Sequence, residues 1–274
     1  MQSNLKRVEF IGSVSVIIPT KNSDITLRKC LESIRRQTFQ NLEMIVVDDK
    51  SKDETTKIAK EFKATIFTIE GERTAAKNFA SKRATGDFLL FLDSDMILAP
   101  TVIEKCLRAM SDPRIGGVII PERTVGSGFW IKVRTFERSF YFGSKMESAR
   151  FFATREVLKV GGFDEDLISY EESTLPQKIE KNGLKTDVRI DSFIMHDEGT
   201  FNLRKWLKKK RYYASTANTY RQRYTEYSKH QMSISYRVGI YLRNGNWIKL
   251  LKHPDLTLGL IILKSLEFFF SKLK

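Results

Sequence analysis

Three short apolar runs set the frame of this chain. Val14-Ser15-Val16-Ile17-Ile18 is stopped by Pro19, residues 42–47 lead into Asp48 and Asp49, and residues 88–92 lead into Asp93. Each has strand length and stays apolar on both alternating faces, as expected of strands covered on two sides in a parallel sheet. Helical spacing follows the first two: Ile25, Leu27, Leu31 and Ile34, then Thr56, Ile58, Ala59 and Phe62. Residues 64–69 read as a further strand and 74–84 as a helix, with Gly86 turning the chain into the Asp93 strand. This alternation runs to about Met110 and predicts an α/β fold with a mostly parallel sheet flanked by helices.

Residues 115–120 form another apolar strand, stopped by Pro121. Residues 121–131, PERTVGSGFWI, read as a loop hinged at Gly126 and Gly128, either a lid beside a cleft or a plain surface connection. A helix over 132–142, a turn at Gly161-Gly162-Phe163-Asp164, a helix over 171–182 ended by Gly183 and a strand over 184–190 follow. Ile194-Met195-His196 is a short apolar piece ending in a histidine. After Gly199, Leu203, Trp206, Leu207, Tyr213, Ala214, Ala217 and Tyr220 fall on one helical stripe, ringed by Arg204, Lys205, Lys208, Lys209 and Arg211.

The acids at the strand ends carry the chemistry. Asp93 and Asp95 are two residues apart, so on an extended strand end they point to the same side. Carboxyl ends of parallel strands are where open α/β sheets bind ligands. Two hard oxygen ligands suit Mg²⁺ or Mn²⁺, which often arrive with a diphosphate. The plainer alternative is a polar strand end that caps the next helix. The segments VSVIIPTKN, QTFQNLEMIVVDDKSKDET, AAKN, ATGDFLLFLDSD, GGFDEDL and YEESTL weigh against it. In this order, over residues 14–200, they resemble the inverting nucleotide-sugar glycosyltransferases of family 2, which have the GT-A fold, a Rossmann-like sheet flanked by helices.

The resemblance implies a role for each matching position. Asp49 is implied to accept a hydrogen bond from the nucleotide base, with Asp48 orienting the loop. Pro19, Thr20, Lys21, Asn22 and Ser94 are implied to line the nucleotide-sugar pocket, and Lys77 to approach the nucleotide or its phosphates. Asp93 lies near ribose and metal in such enzymes, Asp95 ligates the metal, and a histidine at the place of His196 joins the metal or the diphosphate. The base that deprotonates the acceptor hydroxyl comes from the acidic pair after GGFD, here Glu172 with Glu171 as its near alternative. The chain departs from the family pattern at four positions. Lys21 stands where an aromatic is frequent, Lys77 where arginine is common, Glu172 where aspartate is usual, and Thr174 replaces a second acid. Mg²⁺ or Mn²⁺ is the implied cofactor, and a UDP-sugar, with a GDP-sugar as the other possibility, is the implied donor.

Composition adds the surroundings. A formal charge of +14 over 274 residues favours anionic partners, and no nucleic-acid-reading motif accompanies it. Cys30 and Cys106 sit in helical patterns, as buried thiols do, with no zinc or disulfide spacing. Residues 2–9 carry no apolar signal-peptide core, which sets a cytoplasmic expectation. The last 21 residues are apolar but interrupted by Lys264 and Glu267, too short and too charged to span a membrane. Thr257, Lys264, Glu267, Ser271 and Lys274 fall near one helical face. The segment therefore reads as an interfacial membrane helix, or as a terminal helix packed on protein. The expected organisation is a GT-A catalytic domain over 1–199, with its nucleotide-sugar half at about 12–120 and its acceptor half at 121–199, followed by a basic, amphipathic helical region over 200–274. The expected acceptor is a glycan or a polyprenyl lipid at the membrane face. A sugar nucleotidyltransferase would need a glycine-rich basic loop after the first strand, and PTKNSD is not one. A non-catalytic sugar-nucleotide or membrane-binding protein of the same fold is the other alternative.

Overall fold

Every apolar run of the first hundred residues forms a strand. The computed structural model describes residues 12–272, so the signal-peptide reading on residues 2–9 and the polar-face position Lys274 lie outside the described residues, as do the side chains of Ser271 and Lys272. The strands are β1 Val14–Thr20, β2 Leu42–Asp48, β3 Thr65–Thr68, β4 Phe88–Phe91, β5 Met96–Leu98, β6 Gly117–Ile119, β7 Glu122–Ser127, β8 Ala149–Ala153, β9 Val188–Arg189 and β10 Ile194–Thr200. A seven-stranded sheet runs β3-β2-β1-β4-β8-β6-β9. Within it β1 to β4 pair in parallel, and β8 is antiparallel to both β4 and β6. A small sheet, β5-β10-β7, stands beside it.

The helices of the first two hundred residues are α1 Asp24–Arg35, α2 Thr55–Glu61, α3 Arg73–Ser81, α4 Val102–Ala109, α5 Phe129–Arg138, α6 Thr154–Lys159 and α7 Thr174–Lys181. Residue alternation sorts the core onto the two faces of the large sheet. Val14, Val16, Ile18, Leu90 and Leu92 pack with Leu27, Leu31 and Cys106 of α1 and α4. Ile17, Leu89 and Phe91 pack with Ala76 and Ala80 of α3 and Leu175 and Ile179 of α7. Cys30 and Cys106 are buried free thiols. Gly86 is required where it stands, because a Cβ there would lie 2.6 Å from the Ser15 backbone nitrogen and 2.9 Å from the Val14 carbonyl carbon.

Three sequence expectations are corrected and one strand is added. Residues 121–131 are no lid: β7 occupies 122–127 and pairs in parallel with β10. Gly126 presses on the Gly199 carbonyl, which a Cβ would approach to 2.6 Å, so glycine here serves close packing and not a hinge. The central strand β8 has no counterpart among the expected elements; its five residues follow a polar, glycine-bearing stretch. The strand expected over 184–190 contracts to β9 and one bridge between Ile115 and Lys185. The long stripe after Gly199 breaks at residues 215–216 into α8 Leu203–Ala214 and α9 Ala217–Arg223. At the break the Thr216 hydroxyl accepts bonds from the Ile168 and Ser169 amides, at 3.0 and 2.9 Å.

The chain ends in α10 Thr225–Gln231, α11 Ile234–Leu242, α12 Asn246–Lys252 and α13 Pro254–Lys272. The polar stripe of α13 turns inward, opposite to a simple amphipathic reading. Lys264 pairs with Glu137 of α5 and, at 2.5 Å, with Glu267, which also pairs with Lys210 of α8 at 2.6 Å. Leu260 and Leu263 are buried against Val133 and Phe136, while Leu258, Ile261, Ile262 and Phe269 are exposed. No helix among the described residues is long and apolar enough to cross a membrane.

Candidate active site

The carboxyl ends of β1, β2 and β4 meet at one edge of the sheet. At the first two, Asp48 is buried and its carboxylate accepts bonds from the Ser51 amide (2.9 Å), the Ser51 hydroxyl (2.5 Å) and the Thr20 hydroxyl (3.0 Å). Asp48 thus holds the loop, and the Thr20 side chain is spent on Asp48. Asn22 has φ +49, a conformation asparagine tolerates, and its side chain accepts from the Lys52 amide at 2.9 Å. Lys21 Nζ lies 2.6 Å from Asp49 Oδ2. In this family position an aromatic would offer a face; here a lysine engages the carboxylate instead.

Asp93 follows β4 and is ringed by three cations: Arg150 Nη1 at 3.6 Å, and Lys77 Nζ and Arg73 Nη1 each at 3.9 Å. Burial alone would raise its pKa, but Lys77, Arg150 and Arg73 outweigh it and hold the carboxyl well below the usual range. Lys77 is 1% exposed, not a surface helix lysine, and also lies 3.7 Å from Glu172. Its helix is fixed by the next residue. Asn78 accepts from the Phe163 amide at 2.8 Å and donates to the Phe163 carbonyl at 2.9 Å, so AAKN and GGFDEDL brace each other.

The Ser94 hydroxyl donates to the Ser23 hydroxyl at 3.0 Å. Asp95 Oδ2 lies 3.3 Å from His196 Nε2, brought there by the antiparallel pairing of β5 with β10. His196 Nδ1 lies 3.5 Å from Glu122 Oε2 and 3.1 Å from Arg138 Nη1. Burial opposes a charge on the imidazole, but hydrogen bonding to Asp95 and Glu122 prevails and raises it to about 9. Asp93 Oδ1 and Asp95 Oδ1 are both buried without a hydrogen-bond partner. No group of three or more His, Cys, Asp or Glu among the described residues is placed to hold a metal ion by itself. The two orphaned oxygens of Asp93 and Asp95 suit a hard divalent ion that takes most of its ligands from phosphate and water.

Glu171 and Glu172 form a single 3₁₀ turn ahead of α7, directly after Tyr170, which has φ +56. Glu172 lies 3.4 Å from Arg150 Nη2. Glu171 lies 3.2 Å from Arg73. Burial, then the charge of Glu172, raise the Glu171 carboxyl to about 7 against the pull of Arg73 and Lys77.

Asn22, Asp93, Asp95, Glu171, Glu172 and His196 line one cleft of about 2720 Å³, well above the roughly 300–1,000 Å³ of a single-ligand pocket. Pro19, Thr20, Lys21, Asp49 and Lys77 are not part of its lining. Sequence reasoning missed Arg73, Glu122, Arg138 and Arg150. A lone arginine inside the apolar stretch ARFFA was the one available sign, since a charge buried in a strand needs partners.

Residues 15–209 match the family model for Glycosyl transferase family 2. The chain belongs to glycosyltransferase family 2. Its domain is that of a sugar-transferring enzyme. An uncharacterised glycosyltransferase of Haemophilus influenzae is 30% identical over 173 residues, covering 58% of this chain and 59% of that protein. The Escherichia coli UDP-Glc:alpha-D-GlcNAc-diphosphoundecaprenol beta-1,3-glucosyltransferase WfgD is 36% identical over 102 residues, covering 35% and 40%. The chain therefore spans less than two thirds of the length of the curated relatives it matches. The fold is shared with S. aureus TarS 1-349 in complex with UDP-GlcNAc (TM-score 0.60, 20% identity, 93% of this chain and 81% of that one). It is also shared with the mannosyltransferase PcManGT from Pyrobaculum calidifontis in complex with GDP-Man and Mn²⁺ (TM-score 0.62, 18% identity, 93% and 75%). These are GT-A glycosyltransferases, and the α/β expectation holds.

Proposed function

We propose that this protein is an inverting, divalent-metal-dependent glycosyltransferase that uses a nucleotide diphosphate sugar, UDP-linked in preference to GDP-linked, and an acceptor carried at a membrane surface. One observation carries the reading: Asp93, Asp95 and His196 converge in the same cleft as the acidic pair Glu171-Glu172, with Lys77 and Arg150 between them. The nucleotide base is assigned to Asp49, which requires Lys21 to swing from its carboxylate. Asp93, Asp95 and His196 would hold Mg²⁺ or Mn²⁺. Such an ion, when bound, neutralises charge on the departing diphosphate. Glu172 removes the proton of the acceptor hydroxyl as its oxygen attacks the anomeric carbon and the bond to the diphosphate breaks. Lys77 at 3.7 Å and Arg150 at 3.4 Å hold the Glu172 carboxylate in place for that task. Glu171, more buried and harder to ionise, is the weaker candidate for base.

The acceptor assignment rests on charge and surface. Residues 200–274 hold 16 basic and three acidic side chains, whereas residues 1–199 hold 31 and 30, so nearly all of the +14 lies in the last quarter of the chain. On α8, Arg204, Lys205, Lys208, Lys209 and Arg211 have no acidic partner among the described residues, while α11–α13 expose Leu242, Trp247, Leu251, Leu258, Ile261 and Phe269. Cations beside exposed apolar groups suit the interface of an anionic membrane, and the diphosphoundecaprenol acceptor of the E. coli relative is consistent with it.

The metal test is Asp95→Ala. The variant should keep its fold, since Asp95 sits at an open strand end, and should lose the Mn²⁺-dependent part of UDP binding in calorimetry. Unchanged Mn²⁺-dependent affinity would remove Asp95 from the metal site.

A further inference from the structure

Glu122 sits at the start of β7, on the segment whose sequence resembles a loop. Its carboxylate is enclosed by three cationic or protonatable groups from three elements. Arg150 of β8 donates Nε to Oε1 at 2.8 Å, and Arg138 of α5 donates Nη1 to Oε2 at 2.8 Å. His196 of β10 turns Nδ1 toward Oε2 at 3.5 Å, with Arg138 Nη1 also 3.1 Å from that nitrogen. Each of these groups reaches onward. The far nitrogen of His196 faces Asp95 at 3.3 Å, and Arg150 reaches Asp93 at 3.6 Å and Glu172 at 3.4 Å. Arg138 is shared with Glu198 at 3.3 Å.

We propose that Glu122 is a positioning residue for both ends of the reaction: it aims Nε2 of His196 at Asp95, and it anchors Arg150 against Asp93 and Glu172. The first half rests on the metal reading above. A carboxylate on one imidazole nitrogen fixes the ring and leaves the other nitrogen for a metal, an arrangement whose loss typically costs about 10–100-fold in metal affinity. Electrostatics acts in the same sense. Without the Glu122 charge, the Arg138 guanidinium, 3.1 Å from Nδ1, would face His196 uncompensated, and a divalent cation would approach it unscreened by that carboxylate. The second half does not involve the metal. Arg150 is 6% exposed, so its orientation is set by its partners, and Glu122 is the partner it meets at the shortest distance.

A merely structural Glu122 would lower thermal stability and leave metal dependence alone. Two variants separate these roles. Glu122→Gln keeps the shape and removes the charge; Glu122→Asp keeps the charge and withdraws it by one methylene. UDP affinity is measured with Mn²⁺ and with EDTA, and turnover is measured at saturating Mn²⁺. Glu122→Gln should lose about 10–100-fold in the Mn²⁺-dependent part of UDP affinity, with affinity in EDTA unchanged, and should turn over at least about 10-fold more slowly at saturating Mn²⁺. Glu122→Asp should fall between it and the parent in both. If Glu122→Gln does not fold, Glu122→Asp decides alone. Folded variants that match the parent in both measurements overturn the proposal. If the parent itself binds UDP equally in Mn²⁺ and EDTA, the metal reading fails and takes the His196 half with it, and the turnover of the variants then decides the Arg150 half.

Discussion

At the scale of single residues, the site is a set of carboxylates sorted by their cationic neighbours. Asp93 has three and stays ionised; Glu171 has Arg73 alone at close range, competes with Glu172, and is raised to about 7. That elevation has a consequence for stability. The folded state holds the Glu171 proton between about pH 4.5 and 7 while the unfolded chain has released it. Folding stability contributed by this group therefore falls as pH rises through that window, by on the order of 1–3 kcal/mol. Glu171→Gln, which mimics the protonated form, should be more stable than the parent at pH 8 and lose that advantage below pH 4.5. Chemical denaturation at both pH values checks it; a variant less stable than the parent at pH 8 would show that the Arg73 pair outweighs burial. The acids themselves were legible in the sequence, because chemistry at strand ends leaves short motifs. Their partners Arg150, Glu122 and Arg138 were not, because they come from two different sheets and a helix and meet only in the tertiary fold. Lys77 was legible as a position but not as a buried one.

At the scale of elements, periodicity read strands and helices well where both faces are covered and poorly where tertiary pairing decides. β1, β2 and β4 are apolar on both sides and announce themselves. β7 pairs with β10 despite a sequence of turn formers, since Gly126 is needed for close approach to Gly199 and not for a bend. On α13 the charged stripe was legible, but its direction was not: Lys264 and Glu267 complete an ionic cluster with Glu137 and Lys210, and the apolar side is left outside. Deleting α13 would also remove the burial of Leu260 and Leu263, about 1.5–3 kcal/mol each, so substitutions on its exposed side isolate the membrane contact. Ile261→Ser with Phe269→Ser should weaken co-sedimentation with anionic liposomes without lowering thermal stability, and added salt should weaken it further. A parent protein that does not co-sediment with such liposomes would remove the membrane assignment.

At the scale of the whole molecule, a nearly neutral GT-A domain carries a strongly basic helical region, and the large cleft lies where the two meet, lined by both the Asp93 edge and α8. On the proposed function, the donor would bind at the sheet edge, and the remaining volume would be left for an acceptor approached from the basic side. The fold and family were legible because the motifs sit at strand ends and helix starts and follow one another along residues 14–200 in the family's order. The acceptor was not, since side chains at the ends of α8–α13 carry charge and apolar surface but no motif. The account stands on the cleft being a transfer site with Glu172 as its base. Steady-state release of UDP from a UDP-sugar with Mn²⁺, comparing the parent with Glu172→Gln and using UDP affinity as the control, tests this directly. The expected result is a loss of about 10²–10⁴ in turnover with UDP affinity retained. A Glu172→Gln variant that turns over at the parent rate would contradict the mechanism, because the acidic pair would then be only the start of a helix.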